Sequence, residues 1–107
     1  MKQMEIIETA MSQAKELVRQ RNDFAAWEII EKVYRQFPED ANLNKMRADL
    51  TVNASQFASA IANAERAAQS GKLWPALLLY IKAKEIYPFS SIANDEISKL
   101  AKKIVGE

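Results

Sequence analysis

Apolar residues recur at helical spacing from the first residues of the chain onward. Ile7, Met11, Ala14 and Val18 follow one another at intervals of four, three and four positions. Positions at these intervals lie on one face of an α-helix. The pattern therefore predicts a first helix over about 3–20.

A second helix is predicted from about Asp23 to Gln36. Asp23 suits the residue that caps a helix N-terminus, and Pro38 prevents the helix from continuing. The apolar stripe of this helix consists of Ala26, Ile30, Val33 and Phe37.

The segment 39–70 contains neither glycine nor proline, and its apolar positions alternate by four and three residues. This spacing is typical of a helix with a coiled-coil-like seam, so we expect one long helix there. The residues 51–55 form the weak point, because β-branched and cap-type side chains lower the helix propensity. A break between Asn53 and Ser55 is the alternative.

Gly71 favours the left-handed backbone that closes many helices, and a fourth helix is predicted from there to about Tyr87. A turn at Pro88 leads to a fifth helix over about 91–105, with Ser90 or Ser91 as its N-cap. The sequence thus predicts an all-α single domain of five helices, with a long central helix and no strands.

The second half of the chain repeats the first after fifty positions. In this register Phe24 matches Trp74, Ala26 matches Ala76, Ile30 matches Tyr80 and Pro38 matches Pro88. So many structural positions aligned in one register indicate an internal helix–turn–helix repeat.

These blocks resemble the tetratricopeptide repeat (TPR) family, whose helix pairs carry small residues at the helix crossing and a proline at the end. The second block carries the resemblance best, through Ala64, Ala67, Gly71, Ala76, Tyr80, Ala83 and Pro88. The resemblance implies antiparallel helix pairs over about 3–37 and 39–87, followed by a capping helix over about 91–105. The repeat of fifty residues is longer than the roughly 34 residues of that family, and the extra residues fall in the segment 39–56.

The resemblance also implies a function. In TPR-like proteins the first helix of each pair lines a groove that holds a peptide or protein segment. The groove positions that correspond here are Glu8, Met11, Lys15 and Arg19 in the first block, and Ile61, Glu65 and Gln69 in the second. The basic and asparagine residues that grip a terminal carboxylate in chaperone-binding members are not at matching positions.

The fourth helix is apolar on nearly every side, which is typical of a helix that is buried on several faces or that meets a partner. Trp74, Leu78 and Ile81 lie on a face away from the predicted core stripe. Two interpretations remain open for this patch: another helix of the same chain covers it, or it is an interface. Trp27 is expected to lie in the core.

Composition adds several exclusions. Of the 107 residues, 49% are hydrophobic and 27% are charged, which is ordinary for a soluble globular domain. The net charge is +1, so a nucleic-acid partner is not expected. The basic residues cluster at two places that read as solvated helix ends, namely Lys15, Arg19 and Arg21, and Lys99, Lys102 and Lys103.

Candidate chemistry is sparse, because the chain has no histidine and no cysteine. The acidic pairs Glu5/Glu8 and Glu28/Glu31 are one helical turn apart and are expected on solvated faces. We therefore expect no catalytic residue, no cofactor and no metal site. No apolar run is long enough to cross a membrane, no signal peptide is recognised, and the compartment is left open.

The sequence as a whole favours a non-catalytic protein–protein interaction module that binds a peptide or protein segment by apolar and shape complementarity. The alternative is a structural domain that forms a homodimer through the long helix and the Trp74/Leu78/Ile81 patch.

Overall fold

The structure is a computed structural model that describes residues 2–106, and it confirms the all-α prediction. The described residues contain six helices and no strand. The helices are α1 (Lys2–Arg19), α2 (Asp23–Gln36), α3 (Ala41–Asn53), α4 (Ser55–Gln69), α5 (Leu73–Ile86) and α6 (Ser91–Gly106). The predicted count of five is wrong, because the segment 39–70 forms two helices instead of one.

The break between α3 and α4 is a single residue, Ala54, with φ −108° and ψ 26°. Its amide still donates to the carbonyl of Leu50 at 2.9 Å, which closes the last turn of α3. The flanking residues Thr51, Asn53 and Ser55 have weak helix propensity, since their side chains compete for backbone hydrogen bonds. The break therefore falls where the sequence is weakest, as the alternative prediction had it.

Residue contacts divide the chain into two compact units, Met1–Ser55 and Gln56–Glu107. We call them unit 1 and unit 2. Unit 1 contains α1, α2 and α3, and unit 2 contains α4, α5 and α6. The repeat thus contains three helices and not two, and α6 is the counterpart of α3. The extra segment of the fifty-residue repeat is a third helix of unit 1, not an extension of the next helix.

The helix bounds of the two units agree closely in the fifty-residue register. α2 and α5 begin and end exactly fifty positions apart, and so do the starts of α3 and α6 and the ends of α1 and α4. In unit 1, α1 packs against α2, and α2 packs against α3. In unit 2, α5 packs against α6.

The turn after the first helix of each unit has the same backbone geometry in both. Gly71 has φ 76°, as expected from the sequence, and Arg21 has φ 62° at the matching position. In each turn the amide of the next residue donates a hydrogen bond to the carbonyl five residues before it. The distance is 2.8 Å from Asn22 N to Leu17 O and 3.0 Å from Lys72 N to Ala67 O. This is the Schellman motif, which satisfies carbonyls at a helix end.

The start of the third helix is also the same in both units. Asp40 Oδ1 accepts from the Leu43 amide at 2.9 Å, and Ser90 Oγ accepts from the Ala93 amide at 2.9 Å. Of the two predicted N-caps, Ser90 and Ser91, the structure has Ser90.

The prediction of Asp23 as the cap of the second helix is wrong, because Asn22 Oδ1 accepts from the Ala25 amide at 3.3 Å and Asp23 is the first residue of α2.

An asparagine four residues after each cap ties this turn together. Asn44 Nδ2 donates to the carbonyls of Pro38 and Asp40, and Asn94 Nδ2 donates to those of Pro88 and Ser90, all at 2.7–3.2 Å. Asn44 and Asn94 are fifty positions apart, so this feature of the turn is part of the sequence repeat.

Most residues of the predicted core stripes are buried, but Val18 at the end of the first stripe is 36% exposed. Five small residues of these helices are completely buried, namely Ala14, Ala26, Ala64, Ala76 and Ala83. Trp27 is buried as expected, and its indole Nε1 donates to Thr51 Oγ1 at 3.0 Å. In unit 2 the rings of Phe57 and Tyr87 meet edge to face at 5.3 Å.

The acidic pair Glu28/Glu31 contradicts the expectation of a solvated face, because only 6% of Glu28 and 5% of Glu31 are exposed. Glu31 accepts from Arg47 Nε at 2.5 Å and from Arg35 Nε at 3.3 Å. The guanidinium of Arg47 also lies 4.2 Å from the centre of the Tyr34 ring. Two cations thus compensate the buried Glu31 carboxylate, which would otherwise be costly to desolvate. The other pair, Glu5/Glu8, is exposed as predicted.

Candidate functional site

A groove of about 590 Å³ opens in unit 1 along one face of α1 and the beginning of α3. We call it the α1 groove. Its lining residues are Gln3, Met4, Ile7, Glu8, Met11, Asp40 and Asn42. Met4 is 61% exposed, while Ile7 is buried and forms part of the floor. Methionine side chains adapt to the shape of an apolar partner, so the groove can accept an apolar segment.

Two carboxylates give the groove its charge. Glu8 is exposed, and the Asp40 carboxylate is held in place because its Oδ1 caps α3. None of the described residues that line the groove has a basic side chain. A segment that combines apolar side chains with a lysine or arginine would therefore be complementary to this groove.

The structure places only part of the sequence-predicted groove in this cavity. Of the groove positions that the TPR resemblance implies, Glu8 and Met11 line this cavity. Lys15 and Arg19 are exposed farther along α1, towards its C-terminal end. Met4, which the predicted groove lacks, lies seven residues before Met11, and this spacing places the two side chains on the same face of α1.

The three predicted groove residues of unit 2 have different environments. Ile61 is completely buried, so it is not available to a partner. Glu65 is half-buried, and Gln69 is exposed near the end of α4. The large apolar side chain of Ile61 contributes to the core instead of lining a groove.

The patch predicted on the fourth helix lies on α5 and is exposed. Trp74 and Leu78 are each 61% exposed and Ile81 is 39% exposed. We call these three residues the α5 stripe. It faces away from the buried residues Tyr80 and Ala83 of the same helix.

Charged side chains lie around both the α1 groove and the α5 stripe. Lys82 and Lys84 are exposed and flank the α5 stripe at helical spacing. At the other end of α5, Lys72 occupies the N-cap position and its side chain makes no capping hydrogen bond. Glu85 is also exposed and follows Ile81 by one helical turn, on the stripe itself. The α5 stripe is therefore apolar with charges of both signs around it, whereas the α1 groove is apolar with acidic side chains.

The two basic clusters lie at exposed helix ends, as predicted. In the first of them, Arg19 pairs with Glu16 at 2.5 Å. Hydrogen bonds from Arg19 and, to a lesser extent, from Gln20 hold the pKa of the Glu16 carboxyl below its ordinary value. The same bond raises the pKa of Arg19. This pairing is a surface feature outside the α1 groove.

Within residues 2–106, no cluster of three or more acidic, histidine or cysteine side chains is arranged to hold a metal ion. Over the same residues, none of the helices combines the length and the apolar character that crossing a membrane requires.

Comparison of the chain with protein-family models, with curated proteins and with solved structures finds no match in any of the three.

Proposed function

We propose that this chain is a non-catalytic helical scaffold that binds an apolar, basic segment of a protein partner in the α1 groove. The observation that carries the proposal is the composition of the groove: Met4 and Met11 offer apolar surface to solvent, with Glu8 between them. The mechanism is apolar and shape complementarity, and the carboxylate sets the orientation of the bound segment.

We further propose that the repeat is a divergent member of the TPR-like class. The completely buried alanines of α1, α2, α4 and α5 and the Schellman turn that precedes α2 and α5 support this relation. The three-helix repeat of fifty residues is the main departure from the two-helix repeat of that family. As in that class, the proposed partner is a peptide or protein, with neither a nucleic acid nor a membrane involved and with no cofactor.

A library of peptides displayed on phage tests the groove. Peptides selected on the wild-type chain are expected to be amphipathic and basic, and to bind Met11→Lys at least about tenfold more weakly, a loss of one buried apolar contact plus a new charge repulsion. Ile6→Lys is the matched control, because Ile6 is 43% exposed on α1 but lies outside the groove. Circular dichroism checks that both variants are folded. Peptides that bind Met11→Lys as tightly as the wild type would refute the proposal.

Self-assembly is the second candidate function, and the exposure of the α5 stripe favours it. The segment 39–70, through which the predicted homodimer would form, contains two helices, α3 and α4, instead of one long helix. What remains of this candidate is the α5 stripe itself, and the question is which surface it meets.

A further inference from the structure

We infer that the α5 stripe is the contact surface of a symmetric dimer, in which the α5 helices of two copies of this chain pack antiparallel. This inference rests on self-assembly, the second candidate function, and names its geometry; it does not involve the α1 groove. Three observations carry it: the spacing of the exposed residues on α5, the charges at the two ends of this helix and the symmetry of their positions. All of these residues belong to one helix, so α-helix geometry alone fixes their relative placement.

The exposed residues of α5 have the spacing of a coiled-coil seam. Trp74, Leu78, Ile81 and Glu85 follow one another at intervals of four, three and four positions, and all four are exposed. Residues at these intervals lie in one row along a helix, and such a row can pack against the same row of a second helix. The seam of α5 thus consists of three apolar side chains and one carboxylate, which lies at its C-terminal end.

The charges at the two ends of this seam oppose the helix dipole. A helix N-terminus favours anions and a C-terminus favours cations, yet Lys72 occupies the N-cap position of α5 and Glu85 lies in its last turn. Lys84 of the same turn has the favoured sign, but it lies beside the seam and not on it. The matching positions of α2 have the favoured arrangement, because the Asn22 side chain caps that helix and Arg35 lies in its last turn. The unfavourable charges are therefore specific to the helix that carries the exposed stripe.

An antiparallel pair of α5 helices compensates both charges at once. The midpoint of the seam, between positions 79 and 80, is also the midpoint of α5. With a twofold axis at this point, Glu85 of one copy lies beside Lys72 and the N-terminus of α5 in the other copy, and the same contact occurs twice. In the middle of the pair, Leu78 of each copy lies opposite Ile81 of the other. One symmetric contact thus covers the stripe and pairs the charges at both of its ends.

The same charges disfavour a parallel pair. Parallel helices would place Glu85 of both copies in one layer and both Lys72 side chains at one end, where like charges oppose binding. In the antiparallel pair the lysines beside the seam stay apart, since Lys82 and Lys84 then lie next to uncharged residues in the first two turns of the other helix. The charge pattern of α5 is therefore complementary to itself in the antiparallel orientation.

The contact is small, so the dimer is expected to be weak. The three side chains of the α5 stripe present roughly 300 Å² of apolar surface, compared with the roughly 800 Å² that each partner buries in a stable complex. We therefore expect a dissociation constant between about 10 μM and about 1 mM. The twofold contact uses the stripe of both copies, so assembly is expected to stop at the dimer.

Sedimentation velocity from about 1 μM to about 1 mM tests the inference with two variants of the full chain, Lys72→Glu and Glu85→Lys. Each variant alone places like charges at both ends of the pair, and its dimer is expected to be at least about fivefold weaker than that of the wild type. Their equimolar mixture is expected to recover the dimer, because every contact in the mixed pair again joins a carboxylate and an ammonium group. Both changes give α5 the charges that its dipole favours, so the helix itself is not weakened. Lys45→Glu, a charge reversal at an exposed position of α3, is the matched control and is expected to dimerise like the wild type.

Two further variants separate the α5 stripe from the α1 groove. Leu78→Lys changes the centre of the seam and is expected to remain a monomer over the whole range. Met11→Lys changes the groove and is expected to dimerise like the wild type. If circular dichroism shows that Leu78→Lys is unfolded, the two charge variants and their mixture decide the question.

Several outcomes would overturn the inference: a wild type that stays monomeric over the whole range, charge variants that dimerise as tightly as the wild type, a mixture of the two that does not associate, or species larger than a dimer. A dimer that folded Met11→Lys removes would overturn it as well, because the contact would then involve the groove. A monomeric wild type that still binds selected peptides in the groove refutes the antiparallel dimer alone. Peptide binding that Met11→Lys leaves unchanged refutes the proposed function of the groove.

Discussion

Replacement of the buried Glu31–Arg47 ion pair by isoleucine at both positions is expected to change the stability of unit 1 by less than about 1 kcal/mol. Removal of a whole buried ion pair in favour of apolar residues is often neutral or stabilising, since the desolvation cost of both charges disappears with their attraction. Fifty positions later Ile81 and Ile97 correspond to Glu31 and Arg47, but Ile81 is 39% exposed, so the variant places isoleucine in a more buried site than its counterpart.

The single substitutions are expected to behave differently from the double one. Arg47→Ile leaves the Glu31 carboxylate with Arg35 at 3.3 Å in place of the closer contact of 2.5 Å from Arg47. Loss of one partner of a fully buried pair costs about 3–5 kcal/mol. Because the Arg47 side chain is 37% exposed and Arg35 remains, we expect about 2 kcal/mol, including the lost contact with the Tyr34 ring.

Glu31→Ile is expected to lower the free energy of unfolding by about 1 kcal/mol or less. The Arg47 side chain is partly exposed, so water can solvate its guanidinium while the contact with the Tyr34 ring is kept. The two single losses together then exceed the loss in the double variant by about 2 kcal/mol, which is the coupling energy of the pair.

Urea unfolding measured by the fluorescence of Trp27 reports on this region, since that indole is buried in unit 1. A Trp74→Phe background removes the second, exposed indole of α5. The slope of the unfolding free energy with urea must stay constant across the four proteins for the comparison to hold. A double variant as unstable as the two single losses added together would refute the reasoning, because it would mean that the ion pair is not a replaceable unit.

Two further predictions concern single side chains. Arg21→Gly is expected to stabilise the chain by about 0.5–1 kcal/mol, and Gly71→Ala is expected to destabilise it by a similar amount. Both positions have a left-handed backbone, and the strain of a side chain there exceeds the entropic cost of a glycine. A Cβ at Gly71 would meet no atom within 4 Å, so urea unfolding of Gly71→Ala measures backbone strain alone. A change of the same sign in both variants would contradict the explanation. Arg19→Gln is expected to raise the lowered pKa of Glu16 towards its ordinary value of 4.5 in an NMR titration. The contribution of this pair to stability is present above that ordinary value and is lost as the pH falls through the lowered pKa. If the pKa of Glu16 does not move, Arg19 is not the cause of its lowering.

Much of the fold follows from periodicity and from residues with strong backbone preferences. Gly71, Pro38 and Pro88 end helices where the sequence predicts, and the bounds of α2 and α5 agree with the prediction within a few residues. These features are local, so the sequence is sufficient to locate them.

The break at Ala54 shows where such prediction becomes unreliable. The propensity differences among the residues 51–55 amount to a few tenths of a kcal/mol each, while the apolar spacing continues across the break. A continuous helix and a broken one are thus close in local free energy, and the packing around Ala54, which is completely buried, decides between them. The fifty-residue repeat contains the missing information, because the start of α3 lies fifty positions before the start of α6 in the sequence.

The buried carboxylates of Glu28 and Glu31 could not be located from spacing alone. A pair of glutamates one turn apart is ordinary on an exposed helix face, and the partner of Glu31 lies sixteen positions away, at Arg47. Only the packing of α3 against α2 brings this cation to the pair. The exposed Glu5/Glu8 pair has the same spacing, which shows that the environment and not the spacing separates the two cases.

The comparison of register counterparts explains why the α5 stripe carries information that a single exposed leucine would not. Where both repeats have the same environment, the residue types agree, as with Ala26 and Ala76, which are both completely buried. At Glu28 and Leu78 the relation is inverted, because the charged residue is buried and the apolar residue is exposed. Hydration alone would favour an exposed glutamate at position 28 and a buried leucine at position 78. A covered Leu78 removes this inversion in unit 2, so the surface that covers it is expected to lie outside the single chain.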